Sequence, residues 1–461
     1  MRCLKTFFAF LFVIVFFVSC ASQSAEVIPD YIGEFEQNTF DGLELKFAMS
    51  PYICYEQDSL FGDIAKARVA EIEEKYDVKI IFDENESLVS NLFYSISSGI
   101  KPCDVMLSTS FELYNQMRAN LLFPVDNMPT PLVYSDTEKW GGREKLITYA
   151  YDNHLYGILP MYWPETIWKQ VDHFFFVNEN IISNLGQTDP REFVENGEWT
   201  RAKYEEVLNS YTHKNMSGET VYALAVEPAH YFSIAIKTSG IDYIVEKEDG
   251  SYANAFLEPG VVDKLTWVSD TFWNNWEVNI TRGSDTFSTI AKFVNEESVM
   301  VLTHLYYGLE DIQYEVENFG ILPFPLSDDL HGKGWIGQFE FYNNGISFPT
   351  NIEAIDEIAV VVNDIFEPLP GYETEEQRFE YYDRYVFHDS RDTKVVFECL
   401  ENCRYLPYND NGYLIPNAIN NAKGGKSISQ ILEANIEIMQ TTIDDVYIPL
   451  EETCDLLWGE N

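Results

Sequence analysis

Strand-like and helix-like segments alternate along this chain from Leu43 onward, and this alternation restricts the fold more than any other feature. The first region predicts, in order, a strand in residues 43–50, a helix in 58–76, a strand in 78–84, a helix in 87–98 and a strand in 104–108. Gly99 suits a left-handed cap at the end of the second helix. Such alternation predicts a mainly parallel sheet wrapped by helices, with ligands beyond the carboxyl ends of the strands.

A second alternating region begins with a buried type of strand, FFFVN, at residues 174–178. Thr200 is predicted to cap a helix over residues 201–210. Further strands are predicted in residues 221–226, 299–303, 319–323 and 345–349, the last one after the glycine-rich stretch HGKGWIGQ. A chain of 461 residues is too long for one ordinary core, so two lobes of roughly 150 to 250 residues each are expected.

The amino terminus has the pattern of a secretory signal. Arg2 and Lys5 precede an unbroken apolar run over residues 7–18, and the small Ser19 stands before Cys20. This arrangement resembles the lipobox of bacterial lipoproteins, which implies cleavage before Cys20 and acylation of that residue. Two or more acyl chains would hold the protein durably on the membrane.

An ordinary secreted protein, cleaved near Ala21 or Ala25, is the alternative interpretation of the same signal. Residues 20–31 are mostly small or polar and predict a short tether in either case. The expected location is the outer face of the cell membrane.

The charge balance excludes polyanionic partners. Acidic residues number 75 against 30 lysines and arginines, which gives a formal net charge of −45. Such a surface repels nucleic acid and anionic lipid headgroups, so no nucleic-acid partner is expected.

The cysteines of the mature chain lack the two-residue spacing of zinc or thioredoxin-type motifs. Beyond Cys20 they are Cys54, Cys103, Cys399, Cys403 and Cys454. Cys399 and Cys403 are predicted to be buried thiols on a helix. No metal site and no cofactor is predicted.

Seven segments, in a fixed order, resemble one family, the extracellular solute-binding proteins of ABC transporters, family 1, which includes the maltose-binding protein. They are GIKPCDV (99–105), NLLFPVD (120–126), NHLYGILP (153–160), FFVN (175–178), NGEWTRAKYEEVL (196–208), VMV (299–301) and FGILP (319–323). The resemblance implies a periplasmic-binding-protein-like type II fold, with two α/β lobes joined by a hinge of crossing strands. A solute would be trapped as the lobes close.

The resemblance also implies a division of the chain into discontinuous lobes. Residues 1–19 are the signal peptide, 20–31 the tether, 32–165 with 322–366 the first lobe, and 166–321 with 367–461 the second lobe.

Candidate ligand-binding residues follow from the local alignment. Ser108 and Ser110 follow the segment DVML (104–107), where the family places groups of the first lobe that face the ligand. The segment EPAHY at 227–231 resembles E-P-Y of the maltose-binding protein, with His230 or Tyr231 replacing its tyrosine. THLY at 303–306 resembles N-G-P-W, with Tyr306 in the position of the stacking tryptophan and His304 beside it.

Further aromatic candidates are Tyr162 and Trp163 near the first crossing, and Trp335 and Tyr342 in and after the glycine-rich stretch. Aromatic rings stack on pyranose faces, whereas polar side chains bind hydroxyl groups. Each candidate also fits a structural role: a helix cap for the serines, a satisfied histidine for His304, and loop packing for the rings.

The resemblance therefore predicts a monomeric binding protein and not an enzyme. The expected ligand is a carbohydrate, and among carbohydrates an oligosaccharide, which the protein would pass to the permease of an ABC transporter. The alternative function is that of an enzyme, a surface glycosidase, because a pair of carboxylates catalyses glycoside hydrolysis and this chain is rich in acidic residues. No G-x-S-x-G or H-E-x-x-H motif is present. A peptide or another small solute is the alternative ligand, since a fold does not fix its ligand.

Overall fold

A computed structural model describes residues 39–48, 60–83, 87–163, 171–238, 244–273, 279–280, 285–326, 334–338, 344–387, 389–403 and 426–459. Cys20, Cys54 and Tyr342 lie outside these residues, as do the predicted signal and tether.

The described strands are short, and most belong to two sheets. In chain order they are β1 (Leu43–Ala48), β2 (Val78–Phe82), β3 (Val105–Thr109), β4 (Ala150–Tyr151), β5 (His154–Leu155), β6 (Phe174–Asn178), β7 (His213–Lys214), β8 (Thr220–Val226), β9 (Ile244–Glu246), β10 (Tyr252–Asn254), β11 (Ser298–Thr303), β12 (Phe319–Leu322) and β13 (Asn344–Ser347).

Helices separate the strands and also form most of the carboxyl-terminal part. The helices of the first half are α1 (Leu60–Tyr76), α2 (Ser87–Ser90), α3 (Leu92–Ser97), α4 (Ser110–Arg118), α5 (Thr137–Trp140), α6 (Arg143–Leu146), α7 (Glu179–Asn184), α8 (Pro190–Glu195) and α9 (Arg201–Tyr211). Those of the second half are α10 (Pro228–Thr238), α11 (Pro259–Trp273), α12 (Thr286–Val294), α13 (Leu305–Ile312), α14 (Ile355–Ile365), α15 (Glu375–Tyr381), α16 (Ser390–Glu401), α17 (Ile428–Glu433), α18 (Ile436–Thr442) and α19 (Ile448–Trp458).

The first sheet has the strand order β13-β3-β1-β2. Strand β1 runs parallel to both β2 and β3, whereas β13 returns from far along the chain and pairs antiparallel with β3. Helix α1 lies between the parallel strands β1 and β2 in the chain, as parallel neighbours require. This sheet agrees with the predicted parallel arrangement except at β13.

The second sheet has the order β12-β6-β11-β8-β7. Only β8 and β11 are parallel here, and β6 runs antiparallel to both of its neighbours, β11 and β12. The expectation of a mainly parallel sheet is therefore wrong for this lobe. The reason is topological: β6 enters from the other lobe and β12 leaves toward it, so neither strand closes a strand-helix-strand unit within this sheet.

Local sequence signals explain where the helices begin. Thr200 accepts a hydrogen bond from the Lys203 N–H and begins α9, which confirms the predicted cap. Gly99 adopts the left-handed conformation (φ +73°), as predicted. The predicted helix at residues 87–98 is instead two short helices that meet at Asn91.

Helix α13 lies directly on the second sheet. A Cβ atom placed on Gly308 of α13 would lie 2.3 Å from the Phe176 ring of β6. Glycine is therefore what permits this close approach of helix and strand. Strands β6 and β11 are buried along their whole length, as is typical of strands in a sheet with both faces covered.

The last helix, α19, covers the segment that precedes β4. Leu450 and Cys454 of α19 form a small apolar cluster with Ile147 and Ala150. The Arg143 guanidinium pairs with Glu451 and with Asp455, the latter at 2.8 Å. Although the sequence-based division assigns residues 367–461 to the second lobe, this helix contacts residues assigned to the first.

Cys103, Cys399, Cys403 and Cys454 are free and buried, which confirms the predicted buried thiols at Cys399 and Cys403. Cys399 lies within α16 and Cys403 just beyond its end. Burial raises the pKa of Cys103 to about 12, so its thiol stays neutral. Among the described residues, no helix has both the length and the apolar character that crossing a bilayer demands.

Candidate functional site

Three histidines meet at one end of the second sheet, where β8 and β11 have their carboxyl ends. Thr303 of β11 pairs with Phe174 of β6, so the next residues along this antiparallel ladder, His304 and His173, lie side by side. His230 reaches the same place from the first turn of α10, which follows β8. The carboxyl ends of parallel strands are where α/β folds bind ligands.

The imidazole rings are close to one another. Their centroids are 4.0 Å apart for His173 and His304, 4.5 Å for His173 and His230, and 4.7 Å for His230 and His304. One potential ligand nitrogen of each ring lies within 4.8 Å of those of the other two. His173 is buried, whereas the side chains of His230 and His304 keep some exposure.

Carboxylates face the Nδ1 atoms of these rings. The two oxygens of buried Asp172 lie 2.7 Å from Nδ1 of His173 and 2.7 Å from Nδ1 of His304. The Glu227 carboxylate lies 3.6 Å from Nδ1 of His230.

Gln338 fixes the position of Asp172 through two hydrogen bonds. Gln338 donates from Nε2 to Oδ2 of Asp172 at 3.2 Å, and its carbonyl oxygen accepts from the Asp172 N–H at 2.8 Å. Segment 334–338 thereby holds the carboxylate in place beneath the histidines.

Exposed aromatic rings stand beside this cluster. Phe287 and Tyr307 are 62% and 37% exposed, and their ring centroids are 5.6 Å apart. Tyr307 also lies 5.4 Å from His304 and 5.5 Å from the half-buried Tyr306. We call Phe287, Tyr306 and Tyr307 the aromatic rim.

Helix α12 positions Phe287. Its first turn is capped by Asp285, whose side chain accepts from the Ser288 N–H at 2.9 Å. Thr286 Oγ1 donates to Glu227 at 3.0 Å, which ties the start of α12 to the end of β8. The aromatic rim and the histidines thus belong to one surface of the second lobe.

The first-lobe candidates lie at the end of β3. Ser108 is fully buried, and its hydroxyl lies 3.2 Å from that of Ser347, so it offers no surface to a solute in this structure. Thr109, not a serine, caps α4, through a reciprocal pair of contacts with Glu112. Ser110 is the first residue of α4, and its side chain is outside the described parts.

Two aromatic candidates lie in the core rather than on a cleft. Trp163 is fully buried, with its ring 5.0 Å from that of Phe366. Tyr231 packs against Phe324, with ring centroids 5.6 Å apart, and burial raises the pKa of its phenol. Both side chains are large and apolar, and the sequence pattern does not separate a core ring from a binding ring.

The two remaining described aromatic candidates, Trp335 and Tyr162, differ in how deeply they are buried. Trp335 is buried, and its backbone N–H donates to Glu398 Oε1 at 3.0 Å. Tyr162 is half-buried with the Arg378 guanidinium 5.7 Å from its ring centroid, and burial, together with nearby carboxylates, raises its pKa. Of the sequence candidates, the structure brings together His230, His304 and Tyr306.

Sequence reasoning missed Asp172, His173, Phe287 and Tyr307. His173 lies immediately before β6, and His304 lies immediately after β11. A prediction that β6 and β11 are antiparallel neighbours would therefore have placed the two histidines side by side. No sequence pattern indicated Phe287. It lies in the first turn of a helix, and tertiary packing decides which face of that helix is exposed.

The fold is similar to that of solved sugar-binding proteins. The GacH receptor of Streptomyces glaucescens, determined without ligand and with acarbose, matches with a TM-score of 0.58 at 14% identity, over 88% of this chain and 99% of the other. An ABC substrate-binding protein of Listeria monocytogenes in complex with cycloalternan gives 0.57 at 14% identity, over 88% and 100%. The sugar-binding protein MalE of Xanthomonas citri gives 0.57 at 14% identity, over 91% and 100%.

No protein-family profile matches the sequence, and no curated protein matches it significantly. The structural similarity extends over nearly the whole of each solved chain, so it concerns the complete architecture rather than one lobe. This chain therefore has the two-lobed α/β fold of the maltose-binding-protein-like solute-binding proteins.

Proposed function

We propose that this protein captures a carbohydrate between its two lobes, closes around it, and delivers it to the permease of an ABC transporter. The proposal draws on the fold and on its neighbours, which include a sugar-binding protein and complexes with acarbose and cycloalternan. Closure carries the function, since a permease can distinguish a closed, loaded protein from an open, empty one.

The observation that carries the proposal is the aromatic rim beside a set of polar side chains. Sugar rings present flat apolar faces, which stack on aromatic side chains, and hydroxyl groups, which need hydrogen-bonding partners. Phe287 and Tyr307 supply exposed rings. Glu227, His230 and His304 supply polar groups a few ångströms away.

The length of the rim favours an oligosaccharide over a single sugar. Its rings follow one another at centroid distances of 5.6 Å and 5.5 Å, so more than one sugar unit would have a ring to stack on. Ser110, Tyr162 and Tyr342 remain predicted contacts from the rest of the cleft.

The proposed location is the outer face of the cell membrane, with an acylated Cys20 as the anchor and residues 20–31 as the tether. The proposed lobes are residues 32–165 with 322–366, and 166–321 with 367–461. The protein acts as a monomer and performs no turnover of its solute.

A panel of glycans tests the proposal through the melting temperature of the purified protein. Ligand at a hundredfold excess over its Kd stabilises the folded state by about 2.7 kcal/mol, so a bound sugar raises the melting temperature measurably. The same samples, analysed by chromatography, should contain only intact glycan. No shift with any glycan, or the appearance of cleavage products, contradicts the proposal.

Tyr307→Ala tests the aromatic rim with the sugar found in that panel. Loss of one stacked ring is expected to raise the Kd about three- to tenfold, which corresponds to roughly 0.5 to 1.5 kcal/mol. Tyr314→Ala is the matched control, because Tyr314 is 81% exposed shortly after the same helix but lies outside the rim. Equal effects of the two substitutions on the Kd would place the sugar elsewhere.

A further inference from the structure

We propose that His173, His230 and His304 form a binding site for a divalent transition metal ion of the zinc type, at the carboxyl ends of β8 and β11. The ligand set supports this site without reference to the proposed sugar binding, although His230 and His304 are also among the polar groups proposed to bind the sugar.

The ligand set points to this class of metal. Imidazole nitrogens suit Zn²⁺, Cu²⁺ and Ni²⁺, whereas Mg²⁺ and Ca²⁺ prefer oxygen ligands. Three protein ligands with one open position form the usual arrangement of a zinc site that binds a further molecule.

The distances are compatible with coordination. Zn–N bonds of about 2.0 to 2.1 Å in a tetrahedral site place ligand nitrogens about 3.3 Å apart. One nitrogen from each of the three rings already lies within 4.8 Å of one nitrogen of each of the other two. The His230 and His304 side chains keep some exposure, so rotation of these two rings is the movement that would bring the nitrogens to this spacing.

The surrounding carboxylates supply what metal-binding histidines need. Such histidines usually direct one nitrogen to a carboxylate, which fixes the tautomer and increases the basicity of the other nitrogen. Asp172 faces Nδ1 of both His173 and His304, and Glu227 faces Nδ1 of His230. If each Nδ1 stays on its carboxylate, Nε2 would be the ring nitrogen that binds the metal.

The negative charge of these carboxylates also favours a cation. Asp172 and Glu227 place two carboxylates beside the three imidazoles, and nearby carboxylates stabilise a bound divalent ion. The Tyr307 ring lies 5.4 Å from that of His304, so the proposed metal site would lie beside the aromatic rim.

Zinc titration of chelator-treated protein tests the site. Isothermal calorimetry and elemental analysis should show a single tight Zn²⁺ ion per chain in the wild type. His230→Gln should raise the Kd for Zn²⁺ by more than 100-fold, because it removes a ligand. Asp172→Asn should raise it 10- to 100-fold, as is typical of outer-shell partners.

His154→Gln is the matched control. His154 also lies near a carboxylate, with its Nδ1 atom 2.8 Å from Asp126, but the three-histidine group of the described residues does not include it. This substitution should leave zinc affinity unchanged. Co²⁺ in the wild type should give the visible absorption bands of tetrahedral coordination, and His230→Gln should abolish them.

Melting temperatures in the presence of a chelator separate loss of the site from loss of the fold. The metal-free His230→Gln protein should melt near the wild type yet gain no stability from added Zn²⁺, whereas the wild type should gain it. Absent zinc binding, or zinc binding that survives both His230→Gln and His304→Gln, overturns the proposal. Loss of sugar binding alone leaves it standing.

Discussion

At the scale of single residues, the most unusual group is Arg191, a buried cation surrounded by acids. Its guanidinium contacts Asp189 at 2.7 Å, Asp389 at 3.2 Å and Asp392 at 3.4 Å, and it also pairs with Glu179. A buried charge is tolerated only when paired and hydrogen-bonded. This cluster joins α8 to the start of α16, two elements almost 200 residues apart in the chain.

Asp392 differs from the other acids of this cluster. Burial raises its pKa to about 7, although the nearby Arg191 charge and a hydrogen bond from the Ile321 N–H act in the opposite direction. The pKa of Asp389 is instead lowered: burial would raise it, but hydrogen bonds from Arg391 and the charge of Arg191 outweigh that effect. No sequence pattern indicated this cluster, since 75 acids offer many accidental neighbours.

The raised pKa predicts a pH-dependent stability. The folded state binds a proton at Asp392 more tightly than the unfolded state does, so this stabilisation is complete below about pH 4 and is lost as the pH rises through about 7. The difference amounts to at most about 4 kcal/mol.

Asp392→Asn imitates the protonated acid and isolates this effect. We expect the difference in melting temperature, wild type minus variant, to decrease as the pH is raised from 4 to 8. The titration of all other groups contributes equally to both proteins and cancels in this difference. A difference that increases with pH would show that Asp392 behaves as an ordinary paired carboxylate.

At the scale of elements, the sequence predicted nearly all strands of the two main sheets, but not the antiparallel pairings of β13 in the first sheet and of β6 in the second. Buried apolar runs such as residues 174–178 identify a strand by composition. Their pairing depends on where the chain enters and leaves each lobe, which is not a local property. The histidine cluster was missed for this reason, because it forms only where β6 and β11 are antiparallel neighbours.

The close packing of α13 on β6 predicts an unusual response to alanine. Alanine normally stabilises a helix relative to glycine by up to about 1 kcal/mol. At Gly308 the added Cβ would lie 2.3 Å from the Phe176 ring, and such overpacking costs about 1 to 3 kcal/mol. Gly308→Ala should therefore lower the free energy of unfolding by about 1 to 2 kcal/mol in urea denaturation.

Gly260→Ala in α11 provides the comparison, because a Cβ there meets nothing within 4 Å. It should leave stability unchanged or raise it slightly. Since α13 carries Tyr306 and Tyr307, Gly308→Ala should also weaken sugar binding, whereas Gly260→Ala should not. Equal stability of the two variants would mean that α13 shifts on the sheet at no cost.

At the scale of the whole molecule, the sequence was sufficient to predict two α/β lobes and the class of fold. Segments spread over residues 99–323 carried that prediction, and the similarity to solved structures over 88% to 91% of the chain supports it. The candidate binding residues were less predictable, because Trp163 and Tyr231 pack in the core while Phe287 and Tyr307 are exposed. Which aromatic ring meets solvent is decided by the assembled fold.

The proposed anchor belongs to this scale as well, since it concerns where the entire protein acts. Cells grown with a labelled palmitate analogue should yield labelled wild-type protein, and Cys20→Ala should abolish the label. Cys3→Ala is the control, because Cys3 precedes the apolar run and would leave with the signal peptide. Label that persists in Cys20→Ala rules out the anchor and leaves an ordinary secreted protein.

The contact between α19 and the segment near β4 has a consequence for synthesis. Ile147 and Ala150 are made early, but Leu450 and Cys454, which cover them, leave the ribosome about 300 residues later. At roughly 5 to 20 residues per second, this apolar surface stays uncovered for tens of seconds. During that interval the nascent chain offers an apolar binding surface to chaperones. The order of translation, rather than stability alone, determines how long this surface stays exposed.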